Sequence, residues 1–134
     1  MNFNMTVPIV KSDEELRVAY GWASVIESGG EVVVDKQGDW IAPGELVKAA
    51  HEFMRASRLS KEMHGGEACG EVVESIVLTR DVQDSLGVRL DKVGWYIAVK
   101  ILDDDVWRRV RTGDYKAFSI GGRAKRILQT GEAE

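Results

Sequence analysis

Gly94-Trp95-Tyr96-Ile97-Ala98-Val99-Lys100-Ile101-Leu102, followed at once by Asp103-Asp104-Asp105-Val106-Trp107-Arg108-Arg109-Val110-Arg111-Thr112-Gly113, decides the fold class. Side chains of a strand alternate between its faces, so Trp95, Ile97, Val99 and Ile101 share one side. The apolar period then changes. Val106, Trp107 and Val110 form the inner stripe of a helix of about nine residues. Three aspartates sit at its positive end and Arg108, Arg109 and Arg111 at its negative end, matching the helix dipole. Gly113 stops it. The chain then returns to strand in Asp114-Tyr115-Lys116-Ala117-Phe118-Ser119-Ile120-Gly121-Gly122-Arg123-Ala124, a segment expected to run from Tyr115 to about Gln129.

Upstream, Glu71 to Thr79 carries Val72, Val73, Ile76, Val77 and Leu78 and reads as another strand. Residues 81–91 read as loop. Leu59 to His64 is a short extended segment, and Gly65 to Gly70 a loop. Ala42-Pro43-Gly44-Glu45 opens a helix that runs to about Ser57, with Leu46, Ala49 or Ala50, and Phe53 as its apolar stripe. Arg17 to Glu27 reads as a strand bent or bulged near Gly21, and Ser28-Gly29-Gly30 as a turn. Glu31 to Asp35 reads as the returning strand. The expected organisation is an N-terminal arm (1–16), one domain (17–129) and a frayed tail (130–134). Six or so strands and two helices, not regularly interleaved, predict an α+β fold. Its sheet is mostly antiparallel or a small barrel, with the helices packed outside.

The chain has 134 residues, 44% hydrophobic and 30% charged, enough for one domain with its own core. Its net charge of −4 argues against a nucleic-acid partner. One cysteine, Cys69, leaves no internal disulfide and fits a reducing compartment. The first residues show no basic segment leading into an apolar one, so no signal peptide is expected. No apolar run nears the ~20 residues that cross a bilayer.

The chemistry-bearing positions are few. Ser119 lies on the opposite side of its strand from Phe118 and Ile120 and is followed by two glycines, which leave backbone amides unshielded. A hydroxyl beside bare amides is the layout of a nucleophile and its oxyanion hole. Of the two histidines, His51 falls within the first helix. His64 ends an extended segment before Gly65-Gly66, where an imidazole can sit at a rim. Imidazole titrates near neutrality, so His64 could take the proton of Ser119 if the fold brings the two together. Cys69 has nothing nearby to activate its thiol. His51, Glu62, His64 and Cys69 lack any standard zinc spacing, so no metal or other cofactor is expected.

Three motifs occur in order: Gly38-Asp39-Trp40-Ile41-Ala42-Pro43 before a helix; His64 with Gly70-Glu71-Val72-Val73-Glu74-Ser75 after it; and Phe118-Ser119-Ile120-Gly121-Gly122. Together with Val34-Asp35-Lys36-Gln37-Gly38-Asp39 they resemble the XkdF-like serine proteases of tailed phages and prophages, a branch of the prohead (capsid-maturation) proteases. The likeness spans roughly residues 18–126. It implies the fold of the herpesvirus assemblins, a closed and largely antiparallel β-barrel of about six to seven strands flanked by helices. It also implies Ser119 as nucleophile and His64 as general base. Local chemistry adds the amides of Ile120, Gly121 and Gly122 as the oxyanion hole, with Arg123 near it on the face of Ser119. Assemblins use a second histidine after the serine, which this sequence lacks. Asp39 is the first candidate to orient His64, and Asp35 the second. The implied substrates are scaffold and major capsid protein segments within the procapsid in the host cytoplasm, and the protease itself. A homodimer is compatible. Two rivals stand beside this: an inactive assemblin-like module that binds or builds in head assembly, and a hydrolase of small esters.

Overall fold

The computed structural model describes residues 3–34, 38–56, 59–61 and 69–122. Among these the chain forms, in order, β1 (Phe3–Asp13), β2 (Val18–Ser28), β3 (Glu31–Val32), α1 (Pro43–Ala56), β4 (Leu59–Lys61), β5 (Gly70–Leu78), α2 (Arg80–Leu86), β6 (Lys92–Ile101), α3 (Asp104–Thr112) and β7 (Ala117–Gly122). The strands make one sheet in the order β1-β7-β4-β5-β6-β2-β3, and every paired ladder is antiparallel.

The strand β6 lies at the centre, with β2 on one side and β5 on the other. Its alternation has the expected result: Trp95, Ile97, Val99 and Ile101 are all buried in the core. Fully burying side chains of this kind contributes about 1.5–3 kcal/mol each. The helix α1 lays Leu46, Ala50 and Phe53 on that face. Phe53 meets Trp95 edge to face, with ring centroids 5.4 Å apart. The Trp95 indole N–H, left inside, donates to Ser75 Oγ at 2.9 Å. At the far end α3 adds Val106, Trp107 and Val110. The Asp103 carboxylate accepts from the Val106 N–H and caps that helix, and Gly113 closes it in the left-handed conformation.

The sheet curls because β1 is shared. Residues Phe3–Pro8 pair with β7, and Ile9–Asp13 pair with β2 after an irregularity at Val10. The long ladders form a deep half-barrel. The expected closed barrel is not what forms; among the described residues β4 joins β5 by two residue pairs and β7 by two. The α+β class and the mostly antiparallel sheet agree with the sequence.

Four local expectations are corrected. The polar stretch read as an arm contains β1, whose Val7 is fully buried; its stability comes from two partner strands that local polarity does not reveal. Within 81–91 the chain forms α2 rather than loop alone. Thr79 Oγ1 accepts from the Val82 N–H, and Gly87 closes the helix in the left-handed conformation. Its buried Gln83 spans two strand ends, donating to Leu78 and Lys92 carbonyls and accepting from the Leu90 N–H. Among the described residues the helices therefore number three rather than two. The returning strand β3 is only Glu31–Val32.

The irregularity expected near Gly21 is present, and Gly21 itself meets a second demand. A Cβ there would lie 2.3 Å from the Pro8 carbonyl oxygen, so glycine permits β1 to close onto β2. The β2–β6 ladder is irregular next to Gly21, between Trp22 and Ser24, and again between Val25 and Glu27, while β1 is irregular at Val10 opposite Gly21 and Tyr20.

Candidate active site

Ser119 sits in β7 between two neighbours. Across one ladder it is opposed by Thr6 of β1, and across the other by Lys61 of β4. Phe118 and Ile120 on either side of it are buried in the core. Strand alternation therefore puts Ser119 on the outward face of the sheet, where it is half-buried. The core residues fix this orientation: rotating Ser119 inward would expose Phe118 and Ile120 together.

The backbone around Ser119 is not uniform. Ile120 is opposed on both sides, by Met5 and by Ser60. Gly121 and Gly122 are opposed by Asn4 and Phe3 of β1, beyond the last recorded pair with β4. Successive N–H groups of a strand point to opposite edges, so one of the two glycine amides is directed away from β1.

Asp39 lies on a different segment, after β3 and just before α1. It is 6% exposed. Gly38 precedes it with φ +85°, a left-handed turn that glycine adopts without strain. Ile41 packs against the core, and the Ala42 carbonyl accepts from Glu45 and Leu46 to open α1. These contacts hold the Asp39 segment inward while Trp40 stays exposed. His64, Arg123, Asp35 and Glu62 lie outside the described residues. His51 is exposed on α1, and Cys69 is buried with its carbonyl accepting from the Leu102 N–H. Among the described residues, no three His, Cys, Asp or Glu side chains gather as a metal site.

The sequence reading passed over two features. One is the row Thr6–Ser119–Lys61, which only strand register reveals. The other is an outward aromatic group made by neighbouring strands. Trp22 meets Tyr96 edge to face at 5.0 Å, and Tyr20 stacks with Tyr96 at 6.3 Å. The Tyr20 hydroxyl donates to Glu74 at 3.1 Å, and Lys11 lies over the Tyr20 ring. The bond to the Glu74 carboxylate, with burial and nearby negative charge, raises the Tyr20 pKa above 10.0. Burial, with Glu74 second, raises that of Tyr96.

The family whose sequence model matches is described as "Putative phage serine protease XkdF", and the match covers residues 6–128. The chain belongs to this family. It is 32% identical over 95 residues to "Phage-like element PBSX protein XkdF" of Bacillus subtilis (strain 168), covering 69% of this chain and 33% of that one. It is 29% identical over 120 residues to "Uncharacterized protein YqbD" of the same organism, covering 89% of this chain and 35% of that one. It thus spans about a third of the length of these two relatives. No solved structure gives a significant match. Among the described residues, no helix is long and apolar enough to cross a membrane.

Proposed function

We propose that this XkdF-family chain is a serine endopeptidase domain of phage head assembly. It would cleave scaffold and capsid protein segments through an acyl-enzyme. The observation that carries this is the setting of Ser119: outward on β7, between two strands, with glycine amides following. In the reaction, Ser119 Oγ bonds to the scissile carbonyl carbon while His64 takes the hydroxyl proton. The carbonyl π pair moves onto oxygen, and the amides of Gly121 and Gly122 receive that charge. His64 then passes its proton to the leaving amine, and water releases the acyl group by the reverse sequence.

Chain connectivity supports the pairing with His64. Lys61 is opposed to Ser119, and His64 follows it by three residues. The buried carboxylate of Asp39 suits the role of orienting an imidazole, with Asp35 as its competitor. The half-barrel and flanking helices are compatible with an assemblin-like architecture. The account places the enzyme in the assembling procapsid in the host cytoplasm, with self-cleavage and a homodimer as further properties, and without metal, nucleic-acid or membrane partners.

The test is hydrolysis of a mixed peptide library followed by mass spectrometry, with Ser119→Ala beside the wild type. Cleavage products that vanish in the variant are expected. A folded wild type that leaves the library and co-expressed scaffold protein intact would favour the non-catalytic assembly module. Turnover of simple esters alone would favour a small-ester hydrolase.

A further inference from the structure

The outer side of the sheet carries an aromatic row across its central strands. Trp22 of β2, Tyr96 of β6 and Ile76 of β5 stand directly opposite one another. Opposed residues of antiparallel strands share a face. This face is turned away from Trp95, Phe53 and the core stripe of α3. Trp22 and Tyr96 are half-buried, and Ile76 is 40% exposed. The next outward row reads Lys11, Tyr20, Ala98 and Glu74 across β1, β2, β6 and β5. It begins with a cation and ends with an anion. Lys11 lies over the Tyr20 ring, 5.0 Å from its centroid, and Glu74 accepts from the Tyr20 hydroxyl at 3.1 Å, so both charges border the aromatic group. The backbones of Lys11 and Glu74 are three strand spacings apart, about 14 Å.

We propose that this face joins two copies of the chain about a two-fold axis that runs parallel to the strands, between β2 and β6. Rotation by 180° about that axis lays the face on its own image. It reverses the order of the strands and keeps each row level with itself. Lys11 of one copy then meets Glu74 of the other, twice, and Trp22 meets Tyr96, twice. Interfaces are rich in tyrosine and tryptophan at their centre and polar at their rim. A two-fold interface must also be complementary to itself. The charge order selects a second copy over a foreign partner. A row with a cation at one end and an anion at the other is its own complement, whereas a patch of one sign fits a partner of the opposite sign. This rests on the homodimer of the proposed function and gives it a surface, without involving the chemistry at Ser119.

The test is sedimentation equilibrium of the wild-type chain and of two charge-reversal variants, Lys11→Glu and Glu74→Lys. Wild type should dimerise in the micromolar range. Each variant alone sets like charges together at both ends of the interface and should weaken the dimer about 10- to 100-fold. Mixed in equal amounts, the two variants set the introduced acid against the introduced lysine, and native Glu74 against native Lys11. The mixture should therefore dimerise as wild type does. A defect within either chain, such as loss of the contacts to Tyr20, is not repaired by mixing. Circular dichroism and urea midpoints establish that both variants are folded. Variants that dimerise as tightly as wild type, or weakened variants that stay apart when mixed, would overturn this surface and leave the homodimer in place. A wild type that is monomeric throughout would overturn both, while fluorophosphonate labelling judges the serine chemistry separately.

Discussion

Replacing Gly21 by alanine tests how the strand that flanks Ser119 is held. A Cβ at Gly21 would lie 2.3 Å from the Pro8 carbonyl oxygen, 2.8 Å from Val7 Cγ1 and 3.3 Å from the Pro8 carbonyl carbon. Two of these atoms are backbone, and Val7 is fully buried, so no side-chain rotation relieves the contact. Either β1 must move off β2 or β2 must bend. Overpacking of this kind costs about 1–3 kcal/mol. Gly44→Ala is the control, because a Cβ there meets nothing within 4 Å and alanine favours the helix α1. It should leave stability unchanged or raise it by up to about 1 kcal/mol. Urea unfolding followed by tryptophan fluorescence reads both. At a slope of about 2 kcal/mol/M, Gly21→Ala should lower the midpoint by roughly 0.5–1.5 M with the slope unchanged. A Gly21→Ala midpoint equal to that of Gly44→Ala would refute the close approach of β1 to β2, and with it the frame on which the Ser119 row is built.

Three further outcomes follow from the packing and the charges. Phe53→Ala removes a fully buried ring from its contact with Trp95 and should cost about 3–5 kcal/mol in the same urea assay. Asp103→Ala removes the acceptor for the Val106 N–H and should cost ~1 kcal/mol, whereas Asp103→Asn should retain most of that stability. Tyr20 and Tyr96 should ionise above 10.0, as read by absorbance near 295 nm, and Glu74→Gln should lower both midpoints. The sign for stability follows: a pKa raised by folding contributes fully below the unfolded value near 10. That contribution is lost as pH rises through the folded value, so Glu74→Gln should flatten the alkaline decline.

The sequence disclosed the parts of this fold that satisfy their needs locally. Trp95, Ile97, Val99 and Ile101 alternate over a full strand, and Asp103 and Gly113 bracket α3 with their own caps. Helix α2 was hidden because its buried residue is the polar Gln83, held by carbonyls and an amide of the flanking segments rather than by an apolar stripe. Strand β1 was hidden for a related reason: Val7 is buried by strands far along the chain, while Thr6 and Pro8 beside it are exposed. In the candidate site, the outward orientation of Ser119 was legible from Phe118 and Ile120. The neighbours Thr6 and Lys61 were not, because register between strands separated by more than fifty residues leaves no local pattern. The identity of the family was legible in three short motifs, and the match over residues 6–128 agrees with it.

The most direct measurement is the mass and location of a fluorophosphonate adduct on the wild-type chain, with Ser119→Ala and His64→Ala treated in parallel. The account predicts one adduct per chain, mapped by peptide sequencing to Ser119, absent from Ser119→Ala and strongly slowed in His64→Ala. An adduct on another residue, or a wild type that stays unlabelled both alone and with co-expressed scaffold protein, would contradict it.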